Sequence, residues 1–289
     1  MTVVETLLVS KGGAEVRIGD DRAFAIIGER INPTGRARLT ELMKANDMSL
    51  VADDAAKQVA AGAKILDVNA GIPGFDEAEL LSAAVQAVLD AVDVPVCIDS
   101  STPEALEAAV PVAGGKVLIN SVTAELDSLE RLLPLVKRFG AAVIGMANDE
   151  DGPSIDPEIR LKCARKIVEA AADHGIPRED VVIDVIAMPI GAAPDAATAM
   201  YRTARLVREE LGVNVSCGAS NISFGMPERQ GIDAAFLTMA IHAGMNTAIT
   251  NPLHRPVRKA VLAADLMMGR DGFGSAWIAD HRAERNRED

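Results

Sequence analysis

Eight short runs rich in valine, isoleucine and alanine recur along the chain, each followed by a longer segment of helical periodicity. The runs are AFAIIGER, KILDVNAG, PVCIDSS, KVLINSV, AAVIGMA, VVIDVIA, VNVSCGASN and MNTAITNP. Apolar runs without clean alternation suit strands covered on both faces, and strands separated by helices suit parallel pairing through crossover connections. Segments 50–61, 157–174 and 195–211 place apolar residues three and four positions apart, as amphipathic helices do. Eight such units in 289 residues predict an α/β protein folded as a single (β/α)8 TIM barrel rather than an open doubly wound sheet. The stretch TLLVSKGGAEVRIG alternates around a Gly-Gly turn and predicts a hairpin that covers the bottom of the barrel. The expected division is a hairpin over residues 1–22, a barrel over 23–270 and a charged, mobile tail over 271–289.

Composition narrows the partners. The formal charge is −13, whereas nucleic-acid backbones are bound by clustered cations, so nucleic acid is not an expected partner. No run of about 18 apolar residues occurs, and no basic segment leads into an apolar one near the N-terminus, so neither a membrane span nor export is expected. Cys97, Cys163 and Cys217 lie far apart without CxxC or Cys/His spacing. They fit buried, reduced thiols in a cytoplasmic protein and offer no metal site. His174, His242, His254 and His281 read as solvated or locally bonded side chains.

In a barrel of this kind, chemistry sits at the C-terminal ends of the strands. Those ends carry Glu29, Arg30 and Asn32; Asp67 and Asn69; Asp99 and Ser100; Asn120 and Ser121; Asp184; Ser220 and Asn221; and Asn251. One Asp or Asn after a strand is ordinarily a helix cap or an Asx turn. Caps explain the repetition less well, because several of these residues still lie within the apolar runs. Thr102 before Pro103 is a good helix cap, which leaves Asp99 free for another task. No strand end bears a His or Lys, which disfavours Schiff-base and Ser/His chemistry. Carboxylates and carboxamides at fixed positions suit a flat heterocycle with amide-like edges, such as a pterin or purine. Neither GxGxxG nor GxxxxGK[ST] occurs in a strand-to-helix setting, and Gly114-Gly115 reads as a turn.

The ordered motifs GERINPTGR, DVNAG, CIDSS, LINSV, VIDVI and GASNISFGMPER resemble those of the pterin-binding methyltransferases over about residues 23–270. That family includes the methyltetrahydrofolate:corrinoid protein methyltransferases and the folate domain of cobalamin-dependent methionine synthase. The resemblance implies that Asp99, Asn120 and Asp184 hold the pterin edge, and that Asn221 is the catalytic residue at the methyl-bearing nitrogen. It implies that Glu29 and Asn32 form an ERxN element beside the folate, and that Gly218 and Ser220 shape the loop. Asp67, Asn69 and Arg229 are implied to stand behind them, Arg229 with a helix-start ion pair as its alternative. Arg30 has two readings, a partner for a strand-end carboxylate or an ion pair remote from the ligand.

The implied reaction moves a methyl group between 5-methyltetrahydrofolate and the cobalt of cobalamin. Its direction is left open. No homocysteine, cobalamin or reactivation module accompanies the barrel, so a separate corrinoid protein is the expected partner; a homodimer is expected from the family, and no metal is assigned to this chain. The related dihydropteroate synthases use a Lys and a Ser-x-Arg element, and no matching Lys accompanies Asn221 on strand seven. A dihydropteroate-synthase-like condensing enzyme and a non-catalytic folate-binding protein are the rival readings.

Overall fold

The computed structural model describes residues 4–288, with side chains to residue 285. Strands β1 (Thr6–Val9) and β2 (Glu15–Ile18) form the expected antiparallel hairpin. The barrel then runs β3 (Ala25–Ile31), α1 (Ala37–Lys44), α2 (Ser49–Ala60), β4 (Ile65–Val68), α3 (Glu77–Ala91), β5 (Val96–Asp99) and α4 (Pro103–Ala113). It continues with β6 (Leu118–Thr123), α5 (Leu126–Phe139), β7 (Ala142–Met146), α6 (Pro157–Asp173), β8 (Val181–Asp184) and α7 (Ala196–Leu211). Last come β9 (Asn214–Ser216), α8 (Arg229–His242), β10 (Thr247–Thr250), α9 (Arg255–Met267) and α10 (Ser275–Glu288). Every strand expected from the sequence is present.

The eight barrel strands pair in parallel in the order β10-β3-β4-β5-β6-β7-β8-β9. Backbone bonds from Ile249 to Cys217 (3.0 Å) and from Asn246 to Val215 (3.2 Å) draw β10 to β9 and nearly close the ring. Asn246 also accepts from the Val215 amide through its side chain at 2.9 Å, which stitches the same seam. Among the described residues, no helix is long and apolar enough to cross a membrane.

Two apolar layers follow from the two-residue period of the strands. Ile27, Ile65, Cys97, Leu118, Ile144 and Val182 point inward, while Ile26, Leu66, Ile98, Ile119, Val143 and Ile183 pack against the helices. The hairpin closes the inner layer from below, because Leu8 and Ile18 belong to it. Asn214 at the start of β9 donates to Thr6 Oγ1 and to the Ile18 carbonyl, both at 2.9 Å, and Val9 exchanges backbone bonds with Lys116.

That exchange brings the hairpin backbone over Gly115, where a Cβ would lie 2.1 Å from the Val9 carbonyl oxygen and φ is +64°. Only glycine fits. Gly115→Ala is expected to lower stability by roughly 2–4 kcal/mol, seen as an earlier urea midpoint with an unchanged slope. A midpoint equal to that of the parent protein would show that the hairpin moves aside.

The charged end of the chain, expected to be mobile, is instead helix α10 docked on α9. Asp271 caps it, accepting from the Ala276 and Trp277 amides at 3.0 and 3.1 Å. Arg258 and Lys259 of α9 grip Asp280 and Glu284 at 2.5–3.0 Å, and Lys259 lies 5.0 Å from the centre of the Trp277 ring. Polar contacts rather than an apolar stripe fix this helix, so its sequence reads as a solvated tail.

Candidate functional site

The inner apolar layer predicts where the polar residues point. Two residues beyond Ile27, Ile65, Cys97, Leu118 and Val182 stand Glu29, Asp67, Asp99, Asn120 and Asp184, on the same inward face one pleat higher. Five of the eight strands thus contribute an acid or an amide to one level of the barrel mouth. On β7 that level is occupied by Met146.

The floor is a connected carboxylate–amide set. Asn120 donates to Asp67 Oδ1 at 3.2 Å, and Asp99 stands beside Asp67. Asn69 donates to the Asp99 carbonyl at 3.2 Å while its own oxygen accepts the Gly71 amide at 2.9 Å, so it ties the ends of β4 and β5. Asp184 accepts the Ile186 amide at 2.7 Å. Burial and then the Asp99 charge push Asp67 well above the ordinary carboxylate range. Burial raises Asp99 to about 6, with Glu77 adding to the effect. Burial likewise raises Asp184 to about 6, partly offset by the Ile186 amide and the charge of Arg160.

The opposite wall comes from β3 and the loop after β9. A cavity of about 310 Å³ opens there, lined among others by Glu29, Arg30, Asn32, Asp67, Ser220 and Asn221. Ser220 donates to Glu29 Oε1 at 3.0 Å, and burial raises the Glu29 carboxyl. Asn32 accepts the Thr34 amide at 2.9 Å in an Asx turn and lines the cavity. Asn221 ends the 3-10 turn Ala219–Asn221, and its side chain makes no hydrogen bond among the described residues. Gly218 gives it room, since a Cβ there would lie 2.9 Å from Asn221 Nδ2. A larger hollow of about 560 Å³, beside Phe24, Val59, Leu262 and Ala276, contains none of the strand-end residues.

Several side chains behave differently from their sequence reading. Asp67, assigned to the background, is only 3% exposed and lies at the centre of the acid–amide set while also reaching the cavity. Arg30 lines the cavity and its charge acts on the strand-end carboxylate of Glu29, although no ion pair within 4 Å forms among the described residues; Arg36 bonds the Arg30 carbonyl and pairs with Asp54 at 2.5 Å. Among the described residues Arg229 forms no helix-start ion pair; it braces the Asn221 loop, donating to Ser220 O at 2.5 Å and Ser223 Oγ at 2.9 Å. Thr102 donates to Glu77 at 2.9 Å instead of capping its helix. Asn251 is a turn residue, accepting the Leu253 amide at 3.0 Å.

Two important residues carry no sequence signal. Gln58 of α2 is fully buried and accepts the Arg30 amide at 2.9 Å, which fixes the end of β3. Arg160 of α6 is also fully buried, although its surroundings in the sequence look like an ordinary surface helix. All three cysteines are free and buried. Among the described residues, no group of three His, Cys, Asp or Glu is placed to hold a metal ion.

A mouth with many fixed acceptors and few direct counter-cations suits a flat ligand rich in N–H donors. The sequence pattern of the pterin binding enzymes matches residues 28–251, from within β3 to just past β10. The chain belongs to the pterin-binding enzyme family. This pterin-binding enzyme is 31% identical over 252 residues to a protein of Eubacterium limosum named methylcorrinoid:tetrahydrofolate methyltransferase, a match covering 85% of this chain and 92% of the relative. Its fold is shared with dihydropteroate synthase of Stenotrophomonas maltophilia at 21% identity and a TM-score of 0.67, covering 91% of this chain and 98% of that one. The Xanthomonas albilineans dihydropteroate synthase solved with 4-aminobenzoic acid gives the same identity and TM-score over 92% and 99% of the two chains.

Proposed function

We propose that this pterin-binding enzyme transfers a methyl group from the cobalt of a separate methylated corrinoid protein to tetrahydrofolate. The observation that carries the reading is Asn221, an unengaged carboxamide on the wall of a cavity that also exposes the buried acids Glu29 and Asp67. Ring binding needs Asp99, Asn120 and Asp184; a neutral group beside the cavity is useful when charge changes on a ring nitrogen. In the proposed step the N5 lone pair takes the methyl group, the cobalt–carbon electron pair remains on cobalt, and N5 then sheds its proton. The carboxamide oxygen accepts from N5–H, and this bond strengthens as the nitrogen becomes cationic. The name of the Eubacterium limosum relative supports the direction. The corrinoid partner and a homodimeric assembly belong to the same proposal.

Purified protein mixed anaerobically with tetrahydrofolate and methylcobalamin is expected to form 5-methyltetrahydrofolate and cob(I)alamin, followed by absorbance. The reverse pair is expected to react as well. Folate that binds but exchanges no methyl group in either direction, even with a methylated corrinoid protein supplied, would leave the storage reading in its place.

A further inference from the structure

Helix α6 lies on the outside of the barrel, yet one of its arginines reaches the mouth. The Arg160 side chain is fully buried, with Nε donating to the Ser154 carbonyl at 2.5 Å and Nη1 to the Val185 and Ile186 carbonyls at 2.8 and 2.9 Å. Its Nη2 is buried and has no hydrogen-bond partner among the described residues. A buried guanidinium is costly unless opposite charge offsets it. The carboxylate whose field it feels is Asp184.

The segment gripped by Arg160 has an uncommon backbone. Ile186 sits at φ +59°, a conformation that a β-branched residue adopts only when its surroundings impose it. Two contacts impose it here. Arg160 holds the carbonyls of Val185 and Ile186, and Asp184 Oδ1 accepts the Ile186 amide. The arginine and the aspartate therefore act on the same turn from its two ends.

We infer that Arg160 is the positioning residue for Asp184, fixing from α6 the turn that orients the aspartate and supplying the positive charge that faces it. The groups around Asp184 are Arg160 from α6, the Cys217 thiol after β9, and the amides of Ile186 and Gly218. Burial and Asp184 itself push the Cys217 thiol far up, so it stays neutral. Arg160 is thus the one charged side chain acting on Asp184 among the described residues.

The inference rests on Asp184 being a pterin ligand, and its test separates the two claims. In the ligand-free protein, carboxyl NMR of 13C-labelled aspartate reads Asp184 directly, with its signal identified by its loss in Asp184→Asn. Arg160→Met is expected to move the Asp184 midpoint upward by about one pH unit, and Arg160→Lys by less than half of that. Tetrahydrofolate binding by Arg160→Met is expected to be weakened roughly five- to tenfold at pH 6 and to recover toward the parent value at pH 9. Should Arg160→Met fail to fold, Arg160→Lys carries both readouts. An Asp184 midpoint that does not move in a folded variant overturns the inference, as does a binding loss that is the same at pH 6 and pH 9. A moved midpoint in a protein that never binds tetrahydrofolate would uphold the coupling and sink the pterin reading alone.

Discussion

Replacing Asn221 with alanine is expected to lower the turnover number for methyl transfer by roughly 10²–10³-fold, while the dissociation constant of tetrahydrofolate stays within about threefold. The split follows from where the residue stands. Asn221 contributes nothing to the acid–amide floor, so on the proposed reading the ring retains Asp99, Asn120 and Asp184. What the variant loses is the dipole beside the nitrogen at which positive charge builds as the methyl group arrives. Glu29 lines the same cavity and its carboxyl favours that charge, which is why some activity should survive. Asn221→Asp makes a second point: a carboxylate keeps the acceptor but loses the donor, so it should retain more methyl acceptance than Asn221→Ala. The measurements are single-turnover rates and equilibrium binding by calorimetry. Equal losses in rate and affinity would show Asn221 to be a binding residue only.

The barrel was legible because its strands are nearly uninterrupted apolar runs, and the mouth because the two-residue period continues past them. Ile65 pointing inward puts Asp67 inward, and Val182 does the same for Asp184. Arg160 and Gln58 escaped because burial of a helix residue depends on what the next layer leaves open, and a lone Arg at position 160 looks the same whether it faces water or a neighbouring loop. Helix α10 escaped for the opposite reason. Its acids and bases suit a solvated tail unless Arg258 and Lys259 of α9 are known to wait for them. The centrality of Asp67 also needs three dimensions, since its Asn120 and Asp99 neighbours lie on two different strands.

Asp99→Asn is expected to weaken tetrahydrofolate binding by more than about 100-fold and at the same time to stabilise the ligand-free protein, because one carboxylate is asked to serve ligand and fold in opposite ways. For the ligand, the ionised oxygen is a strong acceptor for ring N–H groups, and a charge-assisted bond of that kind exceeds what an amide oxygen replaces. For the fold, the same charge is buried beside Asp67 and within the field of Glu77. The sign follows from proton counts. Asp99 titrates at about 6 in the folded chain against 3.8 ordinarily, so between those values the folded state binds more protons than the unfolded one, and its contribution to stability falls as pH rises through the window. Above about 6 the full penalty is present, at most roughly 3 kcal/mol for a displacement of this size. Asparagine removes the charge at nearly constant shape, so at pH 7.5 the variant should melt a few degrees higher, and its stability should vary less between pH 4 and 6 than that of the parent. Saturating tetrahydrofolate should reverse the order, raising the melting temperature of the parent and leaving that of Asp99→Asn almost unmoved. Thermal melts across pH with and without folate decide the matter: a variant less stable than the parent at pH 7.5 would show that the Asp99 charge supports the fold, and the acidic floor would then need a cation not accounted for by Asp67, Asn69 and Asn120.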